Sequence, residues 1–200
     1  MTAVELSSRR DEILGIAAAG FAQSGFEGCS VRDIAEKANI LSGSLYHHFS
    51  SKDEMVVEIL AGYWQRLFEA YDELLVAGHP PDVTLRGLVV ASLGVAEQCP
   101  HEVRILHQDW HYLSRVVDDL DTNMAKVEQA FTETLSAGVD AGLFRGDIDP
   151  AIAYRTIMGA VSWVTRWHRP DGELSMTQVG ELQATMWLDG LRRVRSARPT

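Results

Sequence analysis

Residues 29–55 read Cys-Ser-Val-Arg-Asp-Ile-Ala-Glu-Lys-Ala-Asn-Ile-Leu-Ser-Gly-Ser-Leu-Tyr-His-His-Phe-Ser-Ser-Lys-Asp-Glu-Met, and two short helices joined by a tight turn can be read from them directly. Ser30 is an N-cap with Asp33 three residues on, a capping box with Asp in place of Glu. Val31, Ile34, Ala35 and Ala38 then repeat at helical spacing. Asn39 tolerates the left-handed conformation that ends a helix, and Ile40 packs inward through the turn. A second helix, about Ser42 to Phe49, carries Leu45 and Phe49 at i, i+4 as its core face. Ser42, Gly43, Ser44, Tyr46 and His47 lie on its other face, which is small and hydrogen-bonding and holds no carboxylate. Such a face suits a helix set in a DNA major groove, where bulk and negative charge are both unfavourable.

The run from Ala38 to Phe49, followed by Ser51-Lys52-Asp53-Glu54-Met55, resembles the helix-turn-helix of the tetracycline-repressor (TetR) family over about residues 9 to 60. Asn39 stands where that family usually has Gly, and Leu41 where a Ser or Thr often caps the reading helix, so this cap must come from elsewhere. The resemblance implies a dimeric, ligand-responsive repressor on a palindromic DNA operator. It implies a backbone-phosphate contact for Lys52, whose place at a helix N-terminus already makes an anion site. Arg9, Ser30, Val31, Arg32, Ser42, Gly43, Ser44, Tyr46, His47 and Lys52 form the expected DNA-facing set. A narrower likeness, carried by Ile40 to Lys52 and by Arg166-Trp167-His168-Arg169-Pro170, is to the actinobacterial branch of that family that controls sterol breakdown. That branch responds to coenzyme A thioesters of partly degraded sterol rings, which would make Arg166 and Arg169 phosphate ligands. A salt bridge to the acidic body is the other reading of both arginines.

The 200-residue chain has 46% hydrophobic residues and a mean hydropathy of −0.07, as an ordinary globule does. No run approaches a membrane span, and residues 1–10 hold no apolar leader core, so a cytoplasmic protein is expected. Cys29 and Cys99 are then expected as reduced thiols. Net charge is −10, which argues against non-specific coating of nucleic acid. Residues 1–52 hold five basic and six acidic side chains, leaving −9 on the remainder. A near-neutral head on an acidic body must rely on specific DNA contacts, made by a dimer.

Apolar periodicity predicts about nine helices and no strand, an all-α fold. A first helix, Ser8 to Ser24, ends at Gly25, with Arg9 and Arg10 at its start in position for a phosphate or for solvent. A fourth runs from Lys52 to about Ala77, a fifth from Asp82 to Gln98, a sixth from His101 to Leu113 and a seventh from Asp118 to Gly142. Asp149-Pro150 opens the eighth and Ser175 caps the ninth, while the tail from Arg192 to Thr200 is expected to fray. The division drawn is a helix-turn-helix domain over 1–51 and a ligand-binding and dimerisation domain over 52–200.

The last two helices are apolar on more than one face, and the resemblance implies that they pair with a second copy through Ile157, Ala160, Val161, Val164, Leu182 and Met186. Trp64, Leu93, Leu106, Trp110, Leu113, Phe131, Met158 and Trp163, with Arg166, have the make-up of an effector cavity. Composition alone leaves a plain core equally open for these side chains, and the resemblance implies the cavity. His107 and His111 share the i, i+4 spacing of a helical zinc pair, but Gln108 stands where the zincin pattern needs Glu and no third ligand is fixed. An enzyme using those histidines is the alternative reading. No Gly-rich phosphate loop, nucleophile elbow or Cys-x-x-Cys occurs, and no cofactor or metal is expected.

Overall fold

A computed structural model describes residues 3–192, with side chains from Arg9 onward. The described residues form ten α-helices: α1 (Ala3–Ser24), α2 (Val31–Lys37), α3 (Ser42–Leu45), α4 (Lys52–Val76), α5 (Pro81–Gln98), α6 (Pro100–Gln108), α7 (Trp110–Val116), α8 (Leu120–Asp140), α9 (Pro150–Trp167) and α10 (Met176–Leu191). The one β-type pairing among them is an isolated bridge from Phe144 to Arg192. The expected fraying of the tail falls almost wholly on 193–200, outside the described residues.

Local chemistry sets most boundaries. Ser30 and Asp33 close the capping box of α2, and Ser175 and Gln178 close that of α10. Asp149 caps α9 with Pro150 in its first turn. Asn39 takes φ 54, and the Ile40 N–H reaches back to the Ala35 carbonyl at 3.0 Å, a Schellman ending for α2. Gly25, at φ 77, ends α1 in the same region.

Two expected helices differ. The reading helix is α-helical only to Leu45, because the N–H groups of His47 and His48 bond three residues back, to Ser44 and Leu45. The single helix expected over His101–Leu113 breaks at Asp109, whose φ −110 and ψ 19 leave the helical range. The Asp109 carboxylate accepts the Phe26 N–H at 3.0 Å, a bond across the fold that fixes it at the break.

The chain divides into two compact units, one running to Gln65 and including Cys99–Asp121, the other made of Arg66–Gln98 and the chain from Thr122. This differs from a division at 51/52. The first part of α4 belongs with α1–α3, as do α6 and α7, through bonds such as Tyr112 Oη to Asp53 Oδ1 at 2.7 Å. In the first unit Ile13, Phe21, Ile34, Leu45, Phe49, Met55 and Leu60 are fully buried. In the second, α10 packs along α5, and Leu85, Leu88 and Leu93 of α5 form the centre. Phe131 lies against Tyr71 and Tyr154, with ring centroids 6.1 and 5.7 Å away, and Tyr71 Oη bonds Ser92 Oγ at 2.6 Å.

Candidate nucleic-acid interface

The outer face of α3 is open. Gly43, Tyr46 and His47 are exposed, Tyr46 to 56%, and Ser42 and Ser44 are half-buried. A side-chain atom on Gly43 would meet nothing within 4 Å. Arg32 of α2 is exposed and Val31 half-buried, whereas the Ser30 hydroxyl serves the capping box, donating to Asp33 Oδ2 at 2.6 Å. Leu41 stands at the N-cap of α3 without a side-chain hydrogen bond.

Three cations near this face, Arg9, Arg10 and Lys52, bond to their own chain, whereas Arg32 is exposed. Arg9 donates to the Ala38 carbonyl at 2.5 Å and pairs with Glu12. Arg10 pairs with Glu58 and Glu54, donates to the His48 carbonyl and lies 4.0 Å from the Phe49 ring centroid. Glu58 and Glu54 hold the Arg10 guanidinium above its usual pKa, Glu58 most. Neither arginine is merely solvated, and neither guanidinium stands clear of its own chain. Lys52, expected on a phosphate, lies against the loop between α1 and α2. Its Nζ donates to the carbonyls of Phe26 at 2.6 Å and Cys29 at 3.0 Å, and sits 4.1 Å from the Phe26 ring centroid.

The residues expected to line a cavity divide between the units. Trp64, Leu106 and Leu113 are buried in the first, and Trp110 there is 42% exposed. Leu93 and Phe131 are fully buried in the second and Met158 is half-buried. Trp163 is not a cavity lining of its own chain, being 59% exposed with Arg166 over its ring at 5.2 Å. A half-open pocket of about 170 Å³ lies against Ile148, Ile152, Ile157, Trp187 and Leu191, and Trp187 Nε1 is buried without a hydrogen-bond partner.

The expected pairing surface also changes. Ile157, Val161 and Val164 are buried inside their own chain, which removes them from the set open to a second copy. Ala160 is half-buried and its carbonyl accepts from Gln183. Leu182 and Met186 are exposed, as are Ile152, Trp163 and Trp167 on α9. His107 and His111 stand on different helices, so the single-helix spacing no longer holds, and His111 Nε2 lies 2.6 Å from Arg115 Nη2.

Sequence reasoning missed Phe26, Asp109 and Tyr112 as partners of the helix-turn-helix. Tyr112 stacks on Phe26 at 4.3 Å and 25°, and its hydroxyl bonds Asp53. Burial first, and the Asp53 bond second, push the Tyr112 phenol up to about 12. No local pattern marks these three, since the pairings span 83 and 59 residues. Burial and Asp33 push the Cys29 thiol above its ordinary range. No helix among the described residues is long and apolar enough to cross a membrane.

Comparison with known proteins gives two family matches. Residues 13–59 match "Bacterial regulatory proteins, tetR family", and residues 78–191 match "Tetracyclin repressor-like, C-terminal domain". The chain is 39% identical over 189 residues to the HTH-type transcriptional repressor KstR2 of Rhodococcus jostii, covering 92% of each. It is 38% identical over 195 residues to the KstR2 repressor of Mycobacterium tuberculosis, covering 94% of this chain and 96% of that one. The solved structure of the ketosteroid transcriptional regulator KstR2 of M. tuberculosis superposes with a TM-score of 0.89 at 36% identity, over 93% and 96% of the two chains.

Proposed function

Because the chain belongs to the tetR family of bacterial regulatory proteins, we propose that it is a cytoplasmic transcriptional repressor, binding a palindromic operator as a homodimer and released by a small amphipathic effector. The observation that carries this reading is the open, acid-free face of α3, with Ser42, Gly43 and Ser44 toward base edges and Tyr46, His47 and Arg32 toward the backbone. A second copy covers Leu182, Met186, Trp163, Trp167 and Ile152, which a lone chain leaves wet. Two reading helices then enter successive major grooves about 34 Å apart. The family is one of regulators, so the enzyme reading of His107 and His111 is set aside.

For the effector we propose the class that the sequence resemblance implies, a coenzyme A thioester of a partly degraded sterol ring, and a relative named as a ketosteroid regulator is consistent with it. Arg166 and Arg169, both exposed, serve its phosphates, and exposed Trp163 offers an aromatic face beside Arg166. Release requires that the effector favour the DNA-incompetent state, and about 1.4 kcal/mol of preference gives a tenfold loss of operator affinity. By reciprocity, operator weakens the effector by the same factor. Calorimetry of such a thioester with and without operator tests this: weaker binding in the presence of operator is expected, and equal affinities would exclude release by that ligand.

A further inference from the structure

We propose that Gln108 and Asp109 are positioning residues for DNA reading: together they occupy both halves of the hydrogen bond that would carry α1 one rung further, so that the α6–α7 junction sets where α1 stops and how the chain enters α2. The inference rests on the repressor reading above and gives it a point of control away from the DNA-facing side chains.

The last rung of α1 runs from the Gly25 N–H to the Phe21 carbonyl at 2.9 Å. The next would join the Phe26 N–H to the Ala22 carbonyl, and both groups are taken from the α6–α7 junction instead. The Phe26 N–H donates to Asp109 Oδ2 at 3.0 Å. The Ala22 carbonyl accepts from the Gln108 side-chain nitrogen at 3.1 Å, and the Gln108 side-chain oxygen accepts from Arg104 Nε at 3.1 Å. Its neighbours fix that orientation of the amide, because the reverse would set oxygen against the Ala22 carbonyl and nitrogen against Arg104. Two consecutive residues thus replace the two ends of one missing rung. Ala22 and Phe26 are buried, and a buried backbone group needs a partner, so α1 can stop here only with the junction in place.

Asp109 shows the same choice from its own side. It stands at the N-cap of α7, where an Asp carboxylate ordinarily takes N–H groups of the first turn. It makes no such bond and reaches the end of α1 instead. Gly25 makes the stop possible, since its φ of 77 turns the chain out of the helix, and a Cβ there would stand 3.7 Å from Asp109 Oδ1. Glycine enters the helical range as easily, so α1 has two endings open to it. The loop that follows is short and tight: a Cβ on Gly28 would lie 2.3 Å from the Ser24 carbonyl oxygen, and Ser30 already caps α2. Such a loop has no slack to absorb an extra rung. Displacing the junction therefore re-aims α2, with α3 packed on it, while the reading face keeps its chemistry.

The test uses the intact protein and a duplex enriched by the wild type from a random DNA pool, at a temperature where circular dichroism shows each variant folded. Duplex affinity and residue-resolved amide hydrogen exchange are measured for wild type, Asp109→Ala, Asp109→Asn and Gln108→Leu. About tenfold weaker binding is expected for Asp109→Ala and about threefold for Gln108→Leu, the losses of a charged and of a neutral hydrogen bond. Asp109→Asn, whose side-chain oxygen still accepts the Phe26 N–H, should recover to within about twofold of wild type. Exchange in Asp109→Ala should rise at Phe26 and through the loop to α2 and keep its wild-type rate in α8, α9 and α10. A role in stability alone predicts wild-type affinity in every folded variant and faster exchange throughout, and that result overturns the proposal. Asp109→Asn binding as weakly as Asp109→Ala overturns it too, because the effect would then be one of charge. Should Asp109→Ala not fold, Gln108→Leu, a change at an exposed side chain, decides alone: wild-type affinity there ends the proposal. If the wild type enriches no duplex, the repressor reading itself fails and takes the proposal with it, an outcome visible before any variant is made.

Discussion

Met186→Asp separates the surface offered to a second copy from the surface used at home. Met186 is 73% exposed and its neighbour Leu182 is 55% exposed, so a carboxylate at 186 stays in water in the single chain and leaves its fold intact. In a dimer paired through α9 and α10 the same carboxylate is buried. Twofold symmetry buries two of them, each at an effective cost of several kcal/mol. Even about 2 kcal/mol for each, about 4 kcal/mol in total, raises the dimer Kd roughly a thousandfold. Sedimentation at micromolar concentration should show a folded monomer with wild-type helicity. Val164→Asp is the contrast. Val164 is 0% exposed within its own chain, so that variant should lose the fold and not merely the partner. A Met186→Asp protein that sediments as a wild-type dimer refutes the assignment of this face.

Gly138→Ala should cost about 1–3 kcal/mol, since the new methyl would lie 2.1 Å from Cδ2 of buried Phe144, and a thermal melt checks it. Ser44→Glu should keep the melting temperature and abolish operator binding in a mobility shift, because it sets a carboxylate toward phosphates. Glu54 is held below its usual pKa by the Ser50 hydroxyl and N–H first and by Arg10 next. Its contribution is therefore present above the ordinary glutamate range and is lost as pH falls through the depressed value. Melting temperature against pH should show the wild type losing more than Glu54→Gln on acidification, and parallel curves would contradict this.

Local chemistry was legible in the sequence and long-range pairing was not. Ser30 with Asp33, Asn39, Asp149 with Pro150 and Ser175 each act within five residues, and each does in the structure what its type dictates. The open face of α3 followed from the same spacing. Lys52 shows the limit. Its place at a helix start marks an anion site, yet two carbonyls 23 and 26 residues away take its ammonium. Asp109 looks like one more polar residue on an apolar helix until Phe26 is seen to need a partner. On α9 the periodicity marks two apolar faces without naming their occupants. Val161 and Val164 are covered by their own chain, and Trp163 and Trp167 stay open. The pocket beside Trp187 needs residues from α9, α10 and the segment before α9, a convergence that spacing does not encode.

The most direct test of the central claim is selection of duplexes from a random pool by the purified protein, followed by sequencing of what is retained. The account predicts an inverted repeat with half-site centres about one helical turn apart, enriched by wild type and lost with Ser44→Glu. Enrichment of no sequence, or of a lone half-site with no symmetry, would contradict a dimeric repressor that reads DNA through α3.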